Sequence, residues 1–178
     1  MAVFSLGKLS MKTQLIEYVG SLLPQVKLTA GESFSWSPKD LEITYNTKLI
    51  DKPAGKWAFL HEAAHAKKQH SNYHSDLELL KLEVEAWHEA SNMADSLGIK
   101  INNDHVQDCL DTYRDWLYRR STCPNCSVVS LQVSPTLYSC HNCQTKWTVT
   151  VSRFCRPYRL SVKQPKQKRP LSKTTTFS

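Results

Sequence analysis

The chain has 178 residues, 40% of them hydrophobic and 22% charged, enough apolar material for a packed core and too little charge for global disorder. No apolar run approaches the roughly 20 residues that span a bilayer, and residues 1–24 lack a continuous apolar stretch followed by a small-residue cleavage site. Membrane and secreted classes are disfavoured, and the expected compartment is the cytoplasm. The net charge of +7 is unevenly placed. Arg156, Arg159, Lys163, Lys166, Lys168, Arg169 and Lys173 stand in the last 23 residues with no acid, which leaves the first 155 balanced at 16 basic to 16 acidic. Residues 156–178 therefore read as a solvated basic tail.

In chain order, Leu15, Ile16, Val19, Leu22 and Leu23 fall at helical spacing after Ser10, a candidate N-cap, and before Pro24, a stop. Residues 26–45 read as short strands, since 33–37 and 41–45 both alternate. A loop over 52–55 precedes three helices, at about 56–69, 76–97 and 103–120. Gly98 ends the second, and Asn102 or Asn103 caps the third. Residues 123–155 differ in kind, with two Cys-x-x-Cys pairs, no acid and a β-rich stretch over 146–151. The expected organisation is a domain over 1–121, a ribbon over 122–155 and the tail.

The helix at 56–69 carries His61-Glu62-Ala63-Ala64-His65. Residues four apart on a helix share a face, so both imidazoles can reach one ion. Zn²⁺ accepts imidazole nitrogen and, in a catalytic site, takes three protein ligands and keeps a fourth position open. Glu62, one step round, is placed to take a proton from a metal-activated water. Trp57, Leu60 and Ala64 give the helix an apolar flank. The bland reading, two solvated histidines, has no use for that flank.

The third ligand follows from the next helix. Leu79, Ala86, Ala90, Met93 and Leu97 form an apolar stripe, and the position that completes its 4-3 pattern is Glu83. A carboxylate in a core-facing stripe is costly unless paired or bound to metal. Glu85 and Glu89 fall off the stripe and read as solvent carboxylates. His74 stands as the alternative third ligand.

His61-Glu62-Ala63-Ala64-His65 followed by Glu83-Val84-Glu85-Ala86-Trp87 resembles the ImmA/IrrE metallopeptidases, and is similar to the HtpX type in the placing of its ligand glutamate. The likeness covers roughly residues 34–97. It implies an α+β minigluzincin-like fold: N-terminal helix, short antiparallel sheet, active-site helix, glutamate helix and a further helix. It also implies a zinc-dependent endopeptidase with Glu62 as general base and His61, His65 and Glu83 as ligands. The strand Ile43-Thr44-Tyr45 would form the cleft edge that pairs with a protein or peptide substrate. Position 87 is Trp where those families have Asn or Asp, and Asp76 and Glu78 are the candidates to replace that partner.

Cys123, Cys126, Cys140 and Cys143 have the spacing of a closed, structural zinc site, which a ribbon of this size needs to fold. Two Zn²⁺ ions are thus expected, one catalytic and one structural. Disulfides are the competing reading, and they belong to an oxidising compartment. Cys109 and Cys155 read as packing residues. The ribbon and tail carry nine basic residues from position 123 onward and no acid, so weak nucleic-acid contact is a further expectation, with Trp147, Phe154 and Tyr158 as stacking candidates. Two alternatives belong to other classes: a protease of nucleic-acid-bound proteins, resembling the SprT/Spartan type, and a non-catalytic zinc-binding interaction module.

Overall fold

The computed structural model describes residues 10–153 and 157–162. These hold four helices and two small sheets in a mixed α+β arrangement, divided into two compact units, Met1–Leu117 and Tyr118–Ser178. The division falls inside the last helix, a few residues before the expected boundary at 121. Phe154, Cys155 and most of the basic tail, 163–178, lie outside the described residues.

The first unit opens with α1, Met11–Leu22, capped by the Ser10 hydroxyl, which accepts the Thr13 N–H at 3.2 Å. Leu15 and Val19 are its buried face. Three strands follow: β1 Lys27–Gly31, β2 Ser35–Ser37 and β3 Glu42–Asn46. Their order is β1-β3-β2, with β1 parallel to β3 and β2 antiparallel to it. The sheet is mixed, not the antiparallel one expected, because β2 sits on the far side of β3 and leaves β1 and β3 running the same way.

Next come α2, Pro53–Lys67, and α3, Asp76–Ser96. α2 starts three residues before the predicted 56. Pro53 occupies its first turn, where a missing N–H costs nothing and φ is already helical. Gly55 reads as a loop residue but belongs to that first turn. A Cβ there would lie 1.9 Å from the Leu49 carbonyl oxygen, so only glycine lets the loop pass. α3 is capped by Ser75, whose hydroxyl accepts the Glu78 N–H, and it ends at Gly98 with φ +66°. The Ile99 N–H then closes on the Ala94 carbonyl at 2.9 Å.

α2 and α3 pack on each other through small residues. Ala63, Ala64, Ala86, Ala90 and Ala94 are all fully buried, which allows a close approach. Ile43, Phe59, Leu60 and Met93 are among the larger side chains buried in the same core, each worth roughly 1.5–3 kcal/mol of transfer free energy. No helix among the described residues is long and apolar enough to cross a membrane.

The fourth helix, α4, Asn103–Ser121, starts at Asn102, whose side-chain oxygen accepts the Asp104 N–H at 2.8 Å. The second unit is a four-stranded antiparallel meander, β4 Leu131–Ser134, β5 Leu137–Ser139, β6 Lys146–Val149 and β7 Arg159–Ser161. Residues 159–161, expected in the tail, form the outer strand. Trp147 and Tyr138 face each other across β5 and β6, stacked at 5.5 Å and almost wholly buried. The Trp147 indole N–H donates to the Arg120 carbonyl at 2.9 Å, and the buried Arg120 guanidinium donates to the Thr150 and Pro135 carbonyls. Those bonds explain why Arg120 belongs with the ribbon. They also remove Trp147 as a stacking residue, whereas Tyr158 is exposed.

Candidate metal centres

Two groups of donors could hold a metal ion among the described residues, and both use the residues singled out by spacing. In the first, α2 presents His61 and His65 one turn apart and α3 supplies Glu83. The two Nε2 atoms are 3.1 Å apart. Glu83 Oε2 lies 3.2 Å from His61 Nε2 and 3.7 Å from His65 Nε2. His61 and Glu83 are buried. Burial pushes the Glu83 carboxyl up, but hydrogen bonds from His61 and His65 outweigh it and hold it well below the ordinary carboxylate range.

Glu62 sits beside this group at the edge of a cavity of about 290 Å³, whose lining includes Trp36, His61, Glu62, His65, Glu83 and Tyr113. Burial raises the Glu62 pKa above its ordinary value, opposed by the charges of His61 and His65 and by the Trp36 backbone N–H, which donates to the carboxylate. A buried carboxyl whose pKa is raised by desolvation is a ready proton acceptor.

β2, not β3, borders this cavity: Ser35 and Trp36 are in its lining. The expectation that Ile43, Thr44 and Tyr45 form the cleft edge is not met. β3 is hydrogen-bonded on both sides, to β1 and β2, and Ile43 is fully buried, so no edge is free for a substrate strand. Alternation alone does not separate an edge strand from a central one.

His74 stands outside the donor group, its backbone N–H held by the Glu78 carboxylate at 2.6 Å. The expected replacement for an Asn or Asp at position 87 does not occur at His61. Nδ1 of His61 is buried without a hydrogen-bond partner among the described residues, and neither Asp76 nor Glu78 supplies one. Glu89 also departs from expectation. It is buried against Lys67 at 2.5 Å and Lys68 at 3.7 Å, an inter-helix ion pair where a solvent carboxylate was expected.

His70 is the residue that spacing did not single out. Five positions after His65, it is out of register with the helix. Gln69, at φ +57°, turns the chain back so that the His70 ring meets His65, Nδ1 to Nδ1 at 3.0 Å. A non-glycine residue in that conformation leaves no reliable mark in a sequence. Burial, the largest cause, and the neighbouring His65 lower the His70 pKa, which favours the neutral ring.

The second group lies in the ribbon. Cys123 Sγ and Cys143 Sγ are 3.6 Å apart, and Cys126 Sγ and Cys140 Sγ 3.5 Å. All four are free thiols, not disulfides. Each Cys-x-x-Cys turn aims a backbone N–H at a sulfur: Asn125 at Cys123, 3.4 Å, and Cys143 at Cys140, 3.5 Å. Hydrogen bonds from the Thr145 hydroxyl and the Asn125 side chain bring Cys143 down to about 5, toward the thiolate. Compared with known proteins, the chain matches no family model, no curated protein and no solved structure.

Proposed function

We propose that the chain is a zinc-dependent endopeptidase of the ImmA/IrrE-like, minigluzincin type, with a structural zinc in its C-terminal ribbon. The observation that carries this reading is the convergence of His61, His65 and Glu83 beside the buried carboxyl of Glu62. The donor set fits zinc. Tetrahedral bonds of 2.0–2.1 Å place donors about 3.3 Å apart, and the three separations are 3.1, 3.2 and 3.7 Å. In the ribbon, bonds of 2.3 Å place sulfurs about 3.8 Å apart, close to the 3.5 and 3.6 Å present.

Zn²⁺ bound by the two histidines and Glu83 would supply Lewis acidity, polarising a carbonyl and lowering the pKa of a water to about 7. Glu62 takes the proton of the attacking water and passes it to the departing amine. A protein or peptide substrate lies along the outer edge of β2, antiparallel pairing being tolerant of side-chain identity. Four reduced thiols accord with a cytoplasmic setting.

Glu62→Gln keeps the shape and removes the base. We expect hydrolysis of a denatured protein substrate to fall by at least about 10²-fold with metal content unchanged. Full activity in that variant would overturn the reading, and metal retained without any hydrolysis in the wild type would favour a non-catalytic module.

A further inference from the structure

The two histidines at the first centre are held by unlike means, and the difference assigns a role to His70 and Glu85. Resting on the metal-centre reading above, we infer that His70 and Glu85 form a positioning relay that orients His65 as a metal ligand: Glu85 accepts from His70, and His70 accepts from His65.

The proton placements are forced. A histidine that offers Nε2 to a metal is neutral and keeps its proton on Nδ1, so His65 Nδ1 must donate. The atom facing it at 3.0 Å is Nδ1 of His70, which therefore carries a lone pair. The His70 proton is then on Nε2, and Nε2 lies 3.5 Å from Glu85 Oε2. Ligation through His65 Nε2 at one end and the Glu85 carboxylate at the other thus favour the same tautomers of the two rings. The relay ends at Glu85, whose side chain is 60% exposed, while the His70 side chain is 8% exposed. His61 has no such support, since its Nδ1 is without a partner among the described residues.

The His70 ring is held in place by its own backbone. Its N–H donates to the His65 carbonyl at 2.9 Å, and its carbonyl accepts the Trp36 indole N–H at 2.8 Å. Both bonds survive removal of the side chain, so His70→Ala tests the ring and not the turn. Hydrogen-bond partners of metal-ligating histidines fix ring orientation and raise ligand basicity, and their loss typically lowers metal affinity about 10–100-fold.

The test uses the full chain with one equivalent of Zn²⁺ in the four-cysteine site and Co²⁺ titrated into the second site. Chelator competition gives the affinity, and the visible Co²⁺ bands report ligand geometry. Wild type should bind one Co²⁺. His70→Ala should bind it about 10–100-fold more weakly with shifted bands. His70→Asn, whose side-chain oxygen can accept from His65, should recover most of the loss. Glu85→Ala, at an exposed position, should weaken binding in the same direction and less. The relay is overturned by His70→Ala within twofold of wild type with unchanged bands, by equal losses in the Ala and Asn variants, or by an unaffected Glu85→Ala. A wild-type chain that takes no Co²⁺ at this site would overturn the metal centre itself, a result separable from failure of the relay.

Discussion

The His61 imidazole lies on the Trp87 indole, ring centroids 4.3 Å apart and planes within 28° of parallel. Here an aromatic face restrains the ring, and Nδ1 of His61 has no hydrogen-bond partner among the described residues, whereas Nδ1 of His65 meets His70.

Trp87 is buried at 6% exposure and also meets His105, ring centroids 5.8 Å apart. Trp87→Ala should cost about 3–5 kcal/mol of stability, read as a lower denaturant midpoint with unchanged slope. It should weaken metal binding as well, because His61 loses the surface that restrains it. A variant of wild-type stability would show that the stack holds nothing.

Much of this site is visible in the residues alone, and the reason is periodicity. His61 and His65 at i and i+4, and Glu83 on the stripe of Leu79, Ala86, Ala90 and Met93, are placed by helical geometry that does not depend on the rest of the chain. The four ribbon cysteines are legible for a similar reason, as knuckle spacing is local. What escaped is what tertiary contact decides. The burial of Glu89 depends on Lys67 and Lys68 of another helix. The central position of β3 depends on which strands flank it, and the place of His70 on one left-handed residue, Gln69.

Acid should destabilise the metal-free chain. Glu83 and Glu89 have folded pKa values below the ordinary glutamate value, Glu83 because its histidine hydrogen bonds outweigh burial and Glu89 chiefly through its hydrogen bond to Lys67. A lowered folded pKa adds stability that is complete above the unfolded value of about 4.3 and disappears as pH falls through the folded value. Glu62 works oppositely: its raised pKa makes ionisation unfavourable in the fold, a penalty relieved by acid. Stability measured by denaturation should fall below about pH 4.3, where Glu83, Glu89 and Glu42 all lose their lowered-pKa contribution and the Glu62 penalty is already relieved. Glu83→Gln should flatten that acid limb, and an unchanged limb would contradict the assignment.

The ribbon should fail as a unit without its metal. Cys140 is wholly buried and its sulfur accepts the Cys143 N–H. Cys140→Ser should remove one metal ion per chain and unfold the meander, since a unit this small lacks the core to stand alone. Loss of the stacked Tyr138 and Trp147 signal in near-ultraviolet circular dichroism checks it, with the first centre still binding its ion. A ribbon that keeps that signal would show that its core suffices.

Metal counting tests the centre most directly. Wild-type protein should carry about two zinc ions per chain, and Glu83→Ala about one, with the ribbon ion retained. His74→Ala, with its side chain outside the donor group, should keep both. Two ions in Glu83→Ala, or one in the wild type, would contradict a centre built from the two helices.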